Sequence, residues 1–102
     1  MRDAYIVQSV RTPGCKQKRG LFNQTRPEEL VSFIMKEAVE RTKNLKPEDL
    51  DDIMLGCAFP EGEQGLNLGR LAGQMAGFPE KVSGAVVNRF CEIGRASCRE
   101  RV

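Results

Sequence analysis

Histidine is absent from this chain of 102 residues, and the absence removes the commonest nitrogen ligand of metal centres. The four cysteines, Cys15, Cys57, Cys91 and Cys98, include no C-x-x-C spacing. Neither a zinc site nor a disulfide framework is therefore indicated, and unpaired thiols suit a reduced, cytosolic-type compartment. No apolar run is long enough to span a bilayer, and no basic-then-apolar leader opens the sequence. Strong charge of either sign is lacking too. The formal net charge is +2, which argues against nucleic acid or an anionic membrane as the main partner. The one basic cluster, Lys16-Gln17-Lys18-Arg19, reads as a solvated loop. There is no internal repeat and no low-complexity segment, and the length suits one small domain or part of a larger one.

What is present is an alternation of strand and helix signals. Ala4–Val10 is rich in β-formers and ends at the turn cluster Arg11-Thr12-Pro13-Gly14. Thr25-Arg26-Pro27-Glu28 has the T-x-x-E form of a capping box. A helix over Pro27–Thr42 follows, with Leu30, Val31, Ile34, Met35, Ala38 and Val39 forming its apolar stripe and Glu28, Glu29, Lys36 and Glu40 lying off it. Lys46–Leu50 reads as a short helical turn. Ile53–Ala58 is a continuous apolar run suited to a strand covered on both faces. After the loop Phe59–Gly65, a second helix is expected over Asn67–Ala76, with Leu68, Leu71, Ala72 and Met75 on one side and a Gly77-Phe78-Pro79 stop. Gly69 and Gly73 within it allow close approach of another backbone. Ser83–Phe90 is the third strand.

The order β-α-β-α-β predicts an α/β fold with a mostly parallel sheet and helices on its faces. Ligand chemistry in such sheets gathers at the carboxyl ends of the strands. Val86-Val87-Asn88-Arg89-Phe90-Cys91 brings a thiol to such an end. A helix beginning there would direct free N–H groups and its positive dipole end at the sulfur, favouring thiolate, and a strand-to-helix turn would expose it. The residues alone fit two states of Cys91 equally: this nucleophile, or a buried and inert thiol. Cys57, in a similar strand-like setting, reads as inert, and Cys15 on its polar loop as chemically idle.

Several pieces, in order, resemble the N-terminal segment of the thiolase family, the acetyl-CoA acyltransferases and acetyltransferases. They are Ala4-Tyr5-Ile6-Val7 leading to Val10-Arg11-Thr12-Pro13, Thr25-Arg26-Pro27-Glu28-Glu29-Leu30, and Asp51-Asp52-Ile53-Met54-Leu55-Gly56-Cys57. Glu61-Gly62-Glu63-Gln64-Gly65-Leu66-Asn67 and Val87-Asn88-Arg89-Phe90-Cys91 complete the set, the last being the most specific. The resemblance implies that Cys91 is the acyl-accepting nucleophile of an enzyme that cleaves 3-oxoacyl-CoA with CoA, or condenses two acyl-CoA molecules in reverse. It implies no resident cofactor, coenzyme A being a cosubstrate, and a homo-oligomer contacting through the region of Gln64–Asn67. The Glu-Gly-Glu-Gln-Gly form is most similar to the broad-specificity degradative members. The family's activating His and second acid/base Cys come from later in the chain, so these residues alone are expected to be inactive. Two rivals are a non-catalytic acyl-CoA- or lipid-binding thiolase-like module, and a relative of the ketoacyl synthases. Retention of Cys91 favours an enzyme over a binder.

Residues 92–102 stand apart. Ile93–Val102 back-translates as ATC GGA AGA GCG TCG TGT AGG GAA AGA GTG, which resembles a sequencing-adapter oligonucleotide read in one frame. On that reading Glu92 is a hybrid codon beginning with G, which allows the small residue with which the family continues after its Cys. The expected organisation is an incomplete thiolase-like domain over 1–91, truncated before the nucleophile helix, and an adapter-derived tail over 92–102 that does not read as that helix.

Overall fold

The computed structural model describes residues 2–16 and 18–100, and the α/β class expected from the sequence is present in them. The first helix, α1 (Pro27–Arg41), starts at a proline whose missing N–H costs nothing at the first helical position. Its cap lies one residue later than the T-x-x-E pattern predicts. Arg26 is the N-cap residue, and its N–H donates to the Glu29 carboxylate at 3.2 Å. This register turns Glu28 inward, against the expectation that it lies off the packed face, and leaves it 7% exposed. The Arg26 guanidinium pairs with Glu28 and also reaches Glu63 Oε1 at 3.4 Å. The hydrogen bond from Arg26, with help from the residue's own backbone N–H, holds the Glu28 carboxyl below the ordinary glutamate range.

Two parallel strands, β1 (Asp52–Gly56) and β2 (Ser83–Val87), form the sheet, with Asp52 opposite Ser83 and Gly56 opposite Val87. Both are shorter than the apolar runs that foretold them. The helix between them, α2 (Leu68–Met75), completes a β-α-β unit, the usual way to join parallel neighbours. Asn67 caps α2 twice over. Its Oδ1 accepts the Arg70 N–H at 3.2 Å, and its Nδ2 donates to the Gly84 carbonyl at 2.7 Å, tying the helix start to β2. At the other end Gly77 adopts φ 82°, the Phe78 N–H bonds the Gly73 carbonyl at 3.1 Å, and the Gly77 N–H bonds the Gln74 carbonyl at 3.0 Å. That is the Schellman arrangement the Gly-then-Pro stop predicts.

The glycines of α2 bring its backbone against the sheet. A Cβ on Gly69 would lie 2.7 Å from the Ala85 carbonyl oxygen, and one on Gly73 would lie 2.6 Å from Ile53 Cδ1. The buried face of α2 is therefore Leu68, Gly69, Ala72 and Gly73. Leu71 and Met75, expected on that face, stand outward and are about half exposed. The close glycine contact rotates the helix so that its smallest residues, not its largest, meet the strands. The core comprises Val39, Cys57, Leu68, Ala72 and Val82, and α1 packs on the outer side of α2.

The expected first strand does not form. Ala4–Val10 carries no ladder in the structure, and Tyr5, Ile6 and Val7 are mostly exposed. β-propensity measures fit to a pleated, half-buried surface, and without a paired neighbour it stabilises nothing. The opposite correction applies after Cys91. The chain was expected to lack the helix there, but α3 (Ile93–Glu100) is helical and packs on both strands. Ile93 supplies the contact: a Cβ on Gly56 would lie 2.7 Å from its carbonyl oxygen. Ile53 and Leu55 of β1 face α2, whereas Gly56, of opposite parity, meets α3. The two helices thus cover opposite faces of the sheet.

Candidate functional site

The carboxyl edge of the sheet carries two cysteines in different surroundings. Cys57 directly follows β1. It is 5% exposed, and its N–H extends the ladder to the Val87 carbonyl at 3.0 Å. Cys91 follows β2 after Asn88, Arg89 and Phe90, and it is exposed. Similar strand-like contexts in the sequence therefore end in one enclosed thiol and one accessible thiol. The difference is that Cys57 is still paired to β2 through its N–H, whereas β2 breaks into an exposed turn before Cys91.

That turn is built locally. The Asn88 Oδ1 accepts the Phe90 N–H at 2.8 Å, the bond of an Asx-turn. Phe90 sits at φ 51°, the left-handed region that a bulky residue rarely occupies. From there Phe90–Glu92 makes one 3-10 turn and runs directly into α3. Cys91 lies inside this turn, two residues ahead of Ile93. Its thiol is thus held at a strand-to-helix junction beyond the carboxyl end of a parallel strand, the location where α/β sheets gather ligand chemistry.

The remaining thiols lie elsewhere. Cys15 is on the exposed loop before α1, lining a shallow cavity of about 400 Å³ with Lys16, Lys18, Phe22 and Asn23. Cys98 is exposed on α3. Among the described residues, no three Cys, Asp or Glu side chains are grouped to hold a metal ion, and no helix is long and apolar enough to cross a membrane.

The sequence places the thiol at a strand end but does not reveal two features of the junction. One is the Asn88–Phe90 hydrogen bond, whose one trace in the sequence is an Asn directly after the apolar run of β2. The other is the seat of Ile93 on Gly56, which only the packing of α3 discloses.

A family model described as the thiolase N-terminal domain matches residues 4–100, a range that contains the β1–α2–β2 unit and Cys91. The chain belongs to the thiolase family. The 3-ketoacyl-CoA thiolase of Idiomarina loihiensis is 44% identical over 91 residues, covering 89% of this chain and 24% of that protein. The 3-ketoacyl-CoA thiolase of Bacillus subtilis is 41% identical over 97 residues, covering 95% of this chain and 25% of that protein. The crystal structure of the Bacillus anthracis acetyl-CoA acetyltransferase superposes with a TM-score of 0.79 at 29% identity, covering 90% of this chain and 24% of that one. The chain thus spans about a quarter of the length of the thiolase relatives it matches.

Proposed function

We propose that this chain carries the nucleophile-bearing part of a thiolase, and that Cys91 is the residue that accepts the acyl group. The observation that supports this most is the exposure of Cys91 at the β2–α3 junction while Cys57, at the neighbouring strand end, is enclosed. An exposed thiol at the carboxyl edge of a parallel sheet is reachable by a thioester substrate; an enclosed one is not.

In the degradative direction the Cys91 sulfur attacks the C3 carbonyl carbon of a 3-oxoacyl-CoA. The C2–C3 bond then breaks, its electron pair is protonated, and acetyl-CoA leaves. The acyl group remains on sulfur as a thioester. A second CoA thiol attacks that thioester, releases a shortened acyl-CoA and returns the proton to Cys91. Sulfur suits both halves, being a good nucleophile and a good leaving group. The tetrahedral adduct and the enolate need N–H donors placed for their oxygens.

The reading assigns turnover to the whole protein, with coenzyme A as cosubstrate and no resident cofactor. It assigns none to the 102-residue chain by itself, because the resemblance implies an activating His and a second acid/base Cys from later in the chain, and these 102 residues hold no histidine. Oligomer contacts through Gln64–Asn67 belong to the same proposal, supported by Leu66, which is 97% exposed at a left-handed φ of 59°. So does a cytoplasmic site of fatty-acid degradation. The adapter origin of residues 92–102 is a separate part of this reading, and resequencing the source locus across codon 92 tests it.

The test of function is thiolysis of acetoacetyl-CoA. The whole protein turns it over, Cys91→Ser abolishes turnover, and the 102-residue chain shows none. Intact turnover in the Cys91→Ser protein overturns the assignment of the nucleophile.

A further inference from the structure

We infer that Asn88 is a positioning residue for Cys91, holding the Arg89–Phe90 peptide of the turn and thereby fixing where the thiol emerges; this rests on the reading of Cys91 as the nucleophile. Both flanks of the turn are anchored. On one side Val87 pairs with Gly56, and on the other Ile93 sits against the same Gly56. Between these anchors the chain must reverse within Asn88–Glu92. Packing does not hold it there, since Asn88, Arg89 and Phe90 are all exposed. The Phe90 side chain is 64% exposed, so no burial compensates its positive φ. What the turn does have is the 2.8 Å bond from the Phe90 N–H to Asn88 Oδ1. Without that bond the Asn88–Arg89 backbone is free to continue the line of β2, which would move the Cys91 sulfur off the start of the helix.

The test uses the 102-residue chain and measures alkylation of individual cysteines by iodoacetamide, resolved by peptide mass spectrometry. In that reaction sulfur displaces iodide, a C–S bond forms, and the thiol proton passes to buffer. The readout is the Cys91 rate divided by that of the exposed Cys98 in the same molecule at one fixed pH, which cancels differences in reagent concentration. Asn88→Ala is expected to lower this ratio about fivefold, the effect of losing one net hydrogen bond. Asn88→Ser, which keeps an acceptor oxygen, retains part of the ratio. Asn88→Asp, which keeps the Oδ1 acceptor and the shape of the side chain, retains the whole of it. An asparagine that acted only by filling space would show no such dependence on the acceptor oxygen.

An unchanged ratio in Asn88→Ala, or a ratio as low in Asn88→Asp as in Asn88→Ala while circular dichroism stays native, overturns the inference. Should Asn88→Ala fail to fold, hydrogen exchange of the Phe90 amide in the unmodified chain decides: protection supports the role and free exchange removes it. The two readings fail separately. Thiolysis surviving Cys91→Ser removes the nucleophile whatever the alkylation ratio shows, whereas an insensitive ratio removes Asn88 alone.

Discussion

Gly56 and Ile93 touch: the space where a Cβ on Gly56 would sit is filled by the Ile93 carbonyl, 2.7 Å away. The contact joins the last residue of β1 to the first residue of α3, so the helix after Cys91 starts on top of the neighbouring strand. A methyl group there has no room, and the atom it meets is backbone. Gly56→Ala is expected to destabilise the chain by ~1–3 kcal/mol through overpacking. Urea unfolding measures this, and hydrogen exchange should show the loss concentrated in Ile93–Glu100. An unchanged midpoint would mean that α3 is not seated on β1.

The α2–sheet contact makes a second prediction. Gly69 faces the Ala85 carbonyl at 2.7 Å, and Gly84 faces the Arg70 nitrogen at 2.8 Å, both measured to the Cβ each lacks. Alanine is a better helix former than glycine by about 1 kcal/mol. At position 69 the clash with a strand carbonyl outweighs that gain. Gly69→Ala is therefore expected to lower stability by ~1–3 kcal/mol, where a solvent-facing glycine would give the opposite sign. Thermal unfolding of the single variant reads the sign directly.

Asn67 is the third test. It caps α2 through Arg70 and holds the Gly84 carbonyl of β2 with its amide. Asn67→Ala removes both bonds and is expected to cost ~1–2 kcal/mol. Asn67→Asp keeps the cap and loses only the donor to Gly84. Its midpoint should fall between those of Ala and the unmodified chain. Equal midpoints for Ala and Asp would assign the whole effect to the strand link.

Glu28 gives a pH dependence with a definite sign. Its folded-state carboxyl titrates below the ordinary range, chiefly because Arg26 donates a hydrogen bond to it. Such a group adds stability that is fully present above the unfolded glutamate pKa and is lost as pH falls through the lowered folded value. Acid unfolding of Glu28→Gln should therefore show a weaker loss of stability across that window. Identical acid profiles for the two chains would show that the Arg26–Glu28 pair contributes nothing.

Local chemistry made much of this molecule legible in advance. Pro27 and the acidic pair after it mark the start of α1, and Gly77-Phe78-Pro79 marks the end of α2, because caps and stops are decided within a few residues. The thiol at position 91 is visible at the end of an apolar run, and so is the alternation that predicts a parallel sheet. The errors are equally instructive. Ala4–Val10 has the composition of a strand but no partner, and Leu71 has the size of a core residue but the wrong side of a helix that glycines draw inward. Ile93–Glu100 reads in the sequence as adapter-derived rather than as a helix, yet it is helical, with Ile93 seated on Gly56.

The sequence by itself determined the succession α1–β1–α2–β2, the starts and stops of its two helices to within a residue, and the placement of Cys91 just past a strand, since these depend on neighbours along the chain. Only the tertiary structure decided which strands pair, which face of α2 is buried, and that Cys57 is enclosed while Cys91 is open. Those outcomes depend on contacts between residues far apart in sequence, whose close approach no local pattern records.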